Sequence, residues 1–231
     1  MKKVLIIIPA FNEKGNISEL LSKIKEECPK FDVVVINDCS KDDTSKLCKS
    51  LGADVIDLPV NMGIGGAVQT GYKYALESGY DIAVQVDGDG QHNPIYIQSL
   101  VNEVDNGVNL CIGSRYINKA GFQSSLLRRI GIKHFSNVIL LLTGKRITDP
   151  TSGARACDIK TIEFFANSYP KDYPEPETII SLIKKKFTVS EIPVVMNERK
   201  EGKSSITAMK ALYYMIKVTL AMVIVAITID K

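Results

Sequence analysis

The sequence predicts an α/β protein with a mostly parallel central sheet flanked by helices. Short apolar segments alternate with helical patterns through the first half of the chain, as parallel strands joined by right-handed crossovers require. Polar residues directly follow three of the predicted strands, and ligands bind at the carboxyl ends of strands in such sheets. The 231-residue chain is long enough to bury a sizeable core.

The strands of the first half are short apolar runs that end at turn residues. They are predicted at 4–8, 32–36, 54–58, 82–86 and 109–114. The intervening helices carry apolar residues at three- and four-residue spacing, as at Ile17, Leu20 and Ile24. They are predicted at 17–27, 44–51, 64–77 and 95–106.

The second half is less regular, and no linker divides it from the first. Helices are predicted at 126–142, 161–166 and 178–186, with a strand at 189–197. Loops are predicted at 148–155, at the proline-containing segment 168–177 and at the charged segment 198–205. We therefore expect one domain over 1–208, followed by an apolar C-terminal helix over 209–231.

The C-terminal helix is predicted to meet a membrane or a partner protein without spanning a bilayer. Its uncharged run covers only the twelve residues of 218–229, whereas a spanning helix needs about 20. Extending the run towards the N-terminus brings in Lys217. The alternative is an ordinary C-terminal helix buried in the core.

Composition excludes several classes of protein. Charged residues make up 24% and hydrophobic residues 45% of the chain, which is ordinary for a soluble globular protein. The net charge of +3 is too small to indicate nucleic acid as a partner. The five cysteines include no C-x-x-C pair, which argues against a zinc site or a disulfide framework and favours free thiols in a reducing cytosol.

The segment Asp87-Gly88-Asp89 is the strongest local signal for chemistry. Two carboxylates one residue apart, just after a buried strand, can converge on one hard cation, and oxygen ligands suit Mg²⁺ or Mn²⁺. Gln91 or His92 could supply a further ligand. The alternative is an Asp-Gly turn whose carboxylates are simply solvated.

Two further segments allow a nucleotide-binding or a structural interpretation. Asp38 follows the second strand, where its carboxylate could accept from a nucleobase N–H or a ribose hydroxyl, or could cap the next helix, a role that Ser40 or Asp42 could fill equally well. The glycine-rich segment 61–67 opens a helix and could cradle a phosphate. Its position does not fit a dinucleotide fingerprint, so tight helix packing is favoured.

Basic residues cluster in three predicted loops. They are Arg115, the pair Arg128 and Arg129, and the group Arg199, Lys200 and Lys203. Each cluster is ordinarily a solvated surface, but around a metal they could together bind phosphate-bearing ligands. Glu175 and Glu177 are expected in a surface loop, where either could act as a general base.

Taken together, these segments resemble the family 2 glycosyltransferases, and more narrowly the dolichyl-phosphate mannose synthase-like branch with its bacterial polyprenyl-phosphate glycosyltransferases. The matching segments follow the family's order from residue 9 to residue 204. They are Pro9-Ala10-Phe11-Asn12-Glu13, Asn37-Asp38, the glycines of 61–67, Asp87-Gly88-Asp89-Gly90-Gln91-His92, Gly113-Ser114-Arg115-Tyr116, Asp149-Pro150-Thr151-Ser152-Gly153 and the 199–204 segment with Arg199, Gly202 and Ser204.

The resemblance implies a nucleotide-sugar-binding fold of the GT-A type and a role for each matching residue. The implied nucleotide-binding residues are Pro9, Phe11, Glu13, Asp38 and Asp87. The implied ligands of Mg²⁺ or Mn²⁺ are Asp87, Asp89 and Gln91. The implied phosphate-binding residues are Arg115 and Arg129 on the acceptor side and Arg199 facing the donor diphosphate, with Lys203 and Ser204 in the same loop as Arg199.

The expected function is that of an inverting, metal-dependent glycosyltransferase. It would move a sugar from a UDP- or GDP-linked donor to a polyprenyl phosphate, in the cytoplasm at the inner face of the membrane. One alternative is transfer to a saccharide hydroxyl in cell-surface polysaccharide synthesis, with Glu175 or Glu177 as the base. Others are a non-catalytic nucleotide-sugar-binding subunit of a membrane complex and a nucleotidyltransferase, although the first strand lacks the glycine-rich loop expected of the latter.

Overall fold

The structure, a computed structural model, describes residues 2–121, 125–197 and 208–228. Its sheet has seven strands: β1 (Val4–Ala10), β2 (Asp32–Asn37), β3 (Asp54–Asp57), β4 (Ile82–Gln85), β5 (Leu110–Ser114), β6 (Arg155–Asp158) and β7 (Val189–Pro193). Their order across the sheet is β3-β2-β1-β4-β6-β5-β7. Every neighbouring pair is parallel except those made by β6, which runs antiparallel to both β4 and β5. The predicted α/β class with a mostly parallel sheet is confirmed.

Eight α-helices cover the two faces of the sheet within the described ranges. They are α1 (Lys14–Glu27), α2 (Thr44–Ser50), α3 (Gly63–Glu77), α4 (Ile97–Asp105), α5 (Leu126–Thr143), α6 (Ile159–Asn167), α7 (Pro174–Lys184) and α8 (Ala208–Thr228). One core, containing side chains of α1 and α4, receives Ile6 and Ile8 of β1. The other, containing side chains of α3 and α5 to α8, receives Leu5 and Ile7. Alternate residues of this central strand thus supply both cores.

Strand β6 lies inside the sheet, although the sequence predicts a loop up to residue 155. Its four residues, Arg-Ala-Cys-Asp, include no β-branched or aromatic residue, so their composition does not indicate a strand. Pairing with β4 on one side and β5 on the other supplies the hydrogen bonds that make it one. The prediction failed because these pairings join residues far apart in the sequence.

The proline-containing segment is also more regular than predicted, because α7 begins at Pro174 rather than at residue 178. Proline fits the first turn of a helix, where its missing N–H would have no intrahelical partner. Glu175 and Glu177 therefore lie in the first turn of a helix and not in an irregular loop. Strand β7 is shorter than predicted, since it ends at Pro193.

The glycines of α3 serve close packing, as the sequence analysis favoured. A methyl group at Gly65 would overlap the backbone carbonyl of Pro170, and one at Gly71 would overlap the side chain of Ile7 on β1. The Gly65 amide also donates to the carbonyl of Lys171 at 3.2 Å. Only the absence of a Cβ lets α3 lie this close to both neighbours.

Helix α8 contributes to the core through one face. Val218, Met222 and Ala226 are buried there with side chains of α3, α5 and α7. Within the described ranges, no helix is both long enough and apolar enough to cross a bilayer.

Candidate active site

The polar residues that follow separate strands converge on one edge of the sheet. Asp38 directly follows β2, and Arg115 directly follows β5. Asp87 lies two residues beyond the end of β4, whose partner β1 ends in Pro9 and Ala10. Because β1, β2, β4 and β5 all point the same way, their carboxyl ends meet at this edge. The expected convergence is therefore present.

Asp87 is held in place from two sides. Its Oδ2 lies 3.0 Å from His92 Nε2, and its Oδ1 accepts from Gln85 Nε2 at 3.5 Å. Burial raises the pKa of the Asp87 carboxyl, but the facing His92 and the amide of Gln85 outweigh burial, so its pKa lies below the usual value. The carboxylate is therefore charged and fixed in orientation, with its side chain 35% exposed.

Asp89 lies in the tight turn that follows. Its Oδ1 accepts from the backbone N–H of Gln91 at 3.0 Å. Gly90 takes a positive φ of 73°, which side chains disfavour, and a Cβ at Gly88 would lie 3.0 Å from the carbonyl oxygen of Pro9. The two glycines let the turn lie against the end of β1.

A cavity of about 330 Å³ opens beside Asp89. It lies against α1, and its polar lining includes Asn16, Glu19, Lys23 and Asn197. Asp89 can therefore be reached from solvent, as the sequence analysis expected of this turn.

The chemistry of the donors at this turn fits a hard divalent cation. Asp87 and Asp89 offer carboxylate oxygens one residue apart, which is the donor type that Mg²⁺ and Mn²⁺ prefer. No group of three or more His, Cys, Asp or Glu side chains suited to a metal occurs among the described residues. An ion bound here would therefore take several of its ligands from water or from a phosphate-bearing molecule, as Mg²⁺ commonly does.

His92 fixes Asp87 in this structure, although the sequence suggested it as a possible metal ligand. Its ring is buried, with Nε2 directed at Asp87. Its Nδ1 is also buried and has no hydrogen-bond partner within the described part of the chain. Sequence reasoning had no signal for this pairing, which the turn at 88–91 creates.

Gly153, the last residue of the segment Asp149–Gly153, lies against the Asp87 carboxylate. A Cβ at this position would lie 2.7 Å from Oδ1 of Asp87. Any larger residue would therefore displace the carboxylate that the site presents. The sequence showed a glycine here but gave no indication that it faces Asp87.

Arg115 is buried and paired, which corrects its placement on a solvated loop. Its Nε and Nη2 donate to the two carboxylate oxygens of Asp149 at 2.6 and 2.8 Å. Both side chains are almost fully buried. Burial alone would lower the pKa of Arg115, but Asp149 more than compensates and raises it. Arg115 thus joins the end of β5 to the 149–153 segment.

Glu191 on β7 holds the other side of this pair. Its carboxylate accepts from the backbone N–H groups of Thr148 and Asp149 at 2.7 and 2.8 Å. Burial nevertheless raises the pKa of Glu191. Asp149 and Glu191 were not singled out for this role, because each contacts partners more than 30 residues away in the sequence.

The N-terminus of α5 brings a cation to the site. The Ser125 hydroxyl accepts from the Arg128 backbone N–H at 3.4 Å and caps the helix. The charge of Arg128 contributes to lowering the pKa of the Asp87 carboxyl. Arg129, which the resemblance implicated, is exposed on the same first turn. Arg199, Lys203 and Ser204 lie outside the described residues.

Glu175 lies close enough to the site for the charges there to affect the pKa of its carboxyl group. Burial raises the pKa of its carboxyl to about 7; Asp87 adds to the rise, while Arg155 and Arg128 oppose it. Burial also raises the pKa of Glu177, but no site charge contributes to that shift. The first turn of α7 thus gives the site a carboxyl group that titrates near neutrality.

Arg155 is a buried cation that sequence reasoning missed. It donates to the carbonyls of Ser152 and Pro150 and to the Thr178 hydroxyl, at 2.7, 3.2 and 3.0 Å. It therefore ties the 150–152 segment to α7. In the sequence, Arg155 stands between apolar and small residues. That pattern does not show whether its side chain is buried unless the sheet is known.

Asp38 anchors the start of α3. Its Oδ1 accepts from the Met62 N–H at 2.6 Å and its Oδ2 from the Gly63 N–H at 2.9 Å. The interpretation of Asp38 as the cap of the next helix, α2, is thus wrong, because its carboxylate accepts from N–H groups at the start of α3 instead. The side chain is 4% exposed, so this role accounts for both oxygens without any ligand.

The Pro9–Glu13 segment is pinned beside Asp38 by contacts with the loop after β2. Asn12, at a positive φ of 57°, donates its N–H to Ser40 Oγ at 2.9 Å. The Glu13 N–H donates to Thr44 Oγ1 at 3.0 Å. Phe11 between them is 43% exposed, which leaves an aromatic face at the edge of the site.

Comparison with known proteins agrees with this fold. The model of the family described as glycosyl transferase family 2 matches residues 5–165. A polyprenol monophosphomannose synthase of Mycolicibacterium smegmatis is 30% identical over 227 residues, covering 94% of this chain and 86% of the relative. A UDP-N-acetylglucosamine–dolichyl-phosphate N-acetylglucosaminyltransferase of Methanococcus voltae is 30% identical over 215 residues, covering 84% and 85%.

A solved structure shares the architecture. Glucosyl-3-phosphoglycerate synthase from Mycobacterium tuberculosis, in complex with Mn²⁺, UDP-glucose and phosphoglyceric acid, superimposes with a TM-score of 0.73. The match covers 97% of this chain and 80% of that one, at 18% identity. The expected GT-A fold is therefore present.

The chain belongs to glycosyl transferase family 2. It is accordingly a nucleotide-sugar-dependent glycosyltransferase, as the ordered set of segments implied.

Proposed function

We propose that this enzyme transfers a sugar, with inversion, from a UDP- or GDP-linked donor to the phosphate of a polyprenyl phosphate. The observation that carries the proposal is the cationic first turn of α5, where Arg128 and Arg129 are both exposed and the Arg128 charge contributes to the lowered pKa of Asp87. The two relatives described above support it, because their names specify different sugars but both specify polyprenyl-type lipids.

The donor would lie along the edge formed by β1, β2 and β4. Phe11 offers an exposed aromatic face for the base, and Asp38 orders the start of α3 beside it. Asp87 and Asp89 would hold Mg²⁺ or Mn²⁺, with Gln91 in the same turn. When bound, that cation would stabilise the negative charge that develops on the departing diphosphate.

The acceptor side needs positioning more than it needs a base. A phosphate monoester is already anionic at neutral pH, so its oxygen can attack the anomeric carbon without losing a proton. Arginine binds phosphate oxygens bidentately, and Arg128 and Arg129 on α5 are the exposed candidates for that contact. Arg115 would act together with Asp149, as a buried pair that shapes the wall of the site.

Transfer to a saccharide hydroxyl remains a second candidate, and Glu175 favours it. A hydroxyl must lose its proton during attack, and a general base works best when its pKa lies near the working pH. Glu175 meets that condition, with a pKa of about 7 and with Asp87 nearby. Glu177 is further from the site charges and is the weaker candidate.

The reaction itself distinguishes the two candidates. The purified full chain is incubated with Mg²⁺ or Mn²⁺ and a panel of UDP- and GDP-sugars, with either undecaprenyl phosphate or an oligosaccharide, and the products are identified by mass spectrometry. A sugar linked to the lipid phosphate supports the proposal. A product formed only on the oligosaccharide contradicts it, and no product with any of these donors would contradict both candidates.

The proposed reaction also implies where in the cell the enzyme works. A polyprenyl phosphate keeps its hydrocarbon chain in the bilayer, whereas a nucleotide sugar is dissolved in water. The enzyme would therefore work in the cytoplasm at the inner face of the membrane. The division into a catalytic part over 1–208 and a C-terminal helix over 209–231 belongs to this proposal.

A further inference from the structure

Arg155 is a fully buried cation whose hydrogen-bond acceptors are all neutral oxygens. It lies inside the sheet on β6, between β4 and β5. Its guanidinium donates to the carbonyls of Pro150 and Ser152 and to the Thr178 hydroxyl. Burying a charge costs free energy that neutral acceptors offset only in part, and apolar residues in such positions are often more stable. An arginine here therefore indicates a role beyond stabilising the core.

The hydrogen bonds of Arg155 join two parts of the chain that border the active site. One is the segment before β6, whose Gly153 lies against the Asp87 carboxylate. The other is the first turn of α7. The Thr178 hydroxyl accepts from Arg155 at 3.0 Å and donates to the carbonyl of Glu175 at 2.9 Å. Because Thr178 is buried, both of these bonds are shielded from water.

The first turn of α7 begins differently from that of an ordinary helix. Two of its first three residues, Pro174 and Pro176, lack an N–H group that could bond to the rest of the fold. Tyr173, which precedes the helix, has a left-handed backbone with a φ of 51° instead of the extended backbone of an ordinary N-cap. The bond between Thr178 and Arg155 therefore anchors this turn from inside the fold.

We propose that Arg155 is a positioning residue for the sugar-transfer reaction. Through the Thr178 hydroxyl it fixes the first turn of α7, so that the Glu175 carboxyl keeps its place at the site. Arg155 itself is only 1% exposed, so it acts through Glu175 and not by contact with a substrate. The inference goes beyond the proposed function. It concerns where the carboxyl lies, and it holds whether the acceptor is a phosphate or a hydroxyl.

The pKa of Glu175 reports whether its carboxyl keeps this place. Burial raises that pKa to about 7, so a carboxyl released into water would return towards its ordinary pKa of 4.5. Titratable or charged groups on several elements also interact with this carboxyl. They are Asp87 after β4, Arg128 on α5, Arg155 on β6, Tyr169 before α7 and Tyr214 on α8. The substitutions below keep all of these charges, so a fall in the pKa measures a loss of burial.

The test is a ¹³C NMR titration of the Glu175 carboxyl in the full chain, without nucleotide or divalent cation, with the signal assigned by Glu175→Gln. Thr178→Val removes the hydroxyl but keeps the volume, and the pKa of Glu175 should fall from about 7 towards 4.5. Thr178→Ser keeps the hydroxyl but loses a buried methyl group. It should lower stability and leave the pKa at about 7. The matched control is Ser181→Ala, three residues further along α7, where the hydroxyl donates to the carbonyl of Glu177 and the pKa should not change.

Arg155→Lys separates the position of the side chain from its charge. Lysine keeps the positive charge but lacks the planar fork of donors that binds Thr178 and the segment before β6 at once. The pKa of Glu175 should therefore fall as it does in Thr178→Val. If the lysine variant does not fold, the substitutions on α7 decide the question, because they leave the arginine in place.

Turnover of the nucleotide sugar gives a second readout. With a donor and an acceptor that support transfer, Thr178→Val should lower kcat about tenfold and leave the donor KM unchanged, while Thr178→Ser stays near the wild type. Glu175→Gln/Thr178→Val should be no slower than Glu175→Gln alone, since the hydroxyl acts through that carboxyl. Effects that add would indicate a purely structural role and contradict the proposal.

Three results of the titration would overturn the inference. The pKa of Glu175 could stay at about 7 in Thr178→Val, which would mean that the hydroxyl does not hold the carboxyl. It could fall equally in Thr178→Ser, which would assign the effect to packing. It could stay at about 7 in Arg155→Lys, which would leave the arginine only the effect of its charge. Because the titration requires no turnover, failure of the proposed transfer reaction leaves its outcome unaffected.

Discussion

Some residues of the site have a chemical role and others a structural one. How deeply each side chain is buried indicates which role a substitution would test. Asp89 is partly exposed in a turn, whereas Arg115 and Asp149 are buried together in the wall of the site. A substitution at the exposed turn removes a ligand group and leaves the core intact. A substitution in the buried pair also leaves an uncompensated charge, so stability and activity change together.

Asp89→Ala should lower turnover by at least about 100-fold, because it removes one of two carboxylates that would hold the cation. The melting temperature should stay close to that of the wild type, since Asp89 is only partly buried in a turn. Steady-state assays with Mg²⁺ and Mn²⁺ measure the first effect, and calorimetry measures the second. Asp54→Ala, at an exposed position on β3, is the control. Wild-type turnover in Asp89→Ala would refute the metal-binding role.

Arg115→Ala and Arg129→Ala should behave differently, although the family resemblance implied that both bind the acceptor phosphate. Breaking the buried Arg115–Asp149 pair should cost about 3–5 kcal/mol of unfolding free energy. Arg129 is exposed, so its loss should raise the KM for the lipid phosphate without changing stability. Urea denaturation and acceptor titrations measure the two quantities. Equal stability of the two variants would show that the buried pair does not stabilise the fold.

At the scale of the elements, the first turns of two helices place charged side chains at the site. The side chains on a helix face determine how closely that helix packs against its neighbours. The first turn of α5 carries Arg128, and the first turn of α7 carries Glu175. Helix α3 lies close to β1 and to the loop before α7, because Gly65 and Gly71 have no side chain.

Glu175→Gln should change how stability depends on pH. The pKa of Glu175 is about 7 in the folded chain, which therefore retains the proton to that pH, whereas the unfolded chain releases it near the ordinary pKa of 4.5. The wild type therefore loses stability as pH rises from about 4.5 to 7, and the variant lacks this loss. Melting temperatures between pH 4.5 and 8, without divalent cations, should show the variant gaining on the wild type as pH rises. Parallel curves would mean that Glu175 titrates normally.

Gly71→Ala should destabilise the fold by about 1–3 kcal/mol, because the new methyl group overlaps Ile7. The matched control is Gly131→Ala on α5, where the nearest atom to a new Cβ is Met215 Sδ at 3.6 Å. That site has room, so alanine should be neutral or should stabilise α5 by up to about 1 kcal/mol. Chemical denaturation of both variants provides the measurement, and equal destabilisation would contradict the packing argument.

At the scale of the whole molecule, α8 has two distinct faces. Its inner face completes the core shared by α3, α5 and α7, and its outer face carries large exposed apolar side chains such as Leu220 and Ile224. Removing the helix would therefore open the core as well as remove these exposed side chains. Point substitutions that affect one face at a time are the cleaner test.

Met222→Ala should lower the unfolding free energy by about 2–5 kcal/mol, because Met222 is fully buried and its loss leaves a cavity. Leu220→Ala on the outer face is the control and should change the unfolding free energy by no more than about 0.5 kcal/mol, since that side chain is 58% exposed. Chemical denaturation of both variants measures the two quantities. A stability equal to that of the wild type would show that α8 does not pack into the core.

The sequence by itself determined the α/β class, most of the elements and the Asp87-Gly88-Asp89 turn, because each depends on neighbouring residues. Apolar periodicity marks strands and helices locally, and polar residues at the ends of parallel strands must share one edge of the sheet. Only the tertiary structure decided the placement of β6, the pairing of Arg115 with Asp149 and the raised pKa of the partly buried Glu175. These features join residues that are distant in the sequence, so the free energy that creates them appears only when the sheet and its helices are packed together.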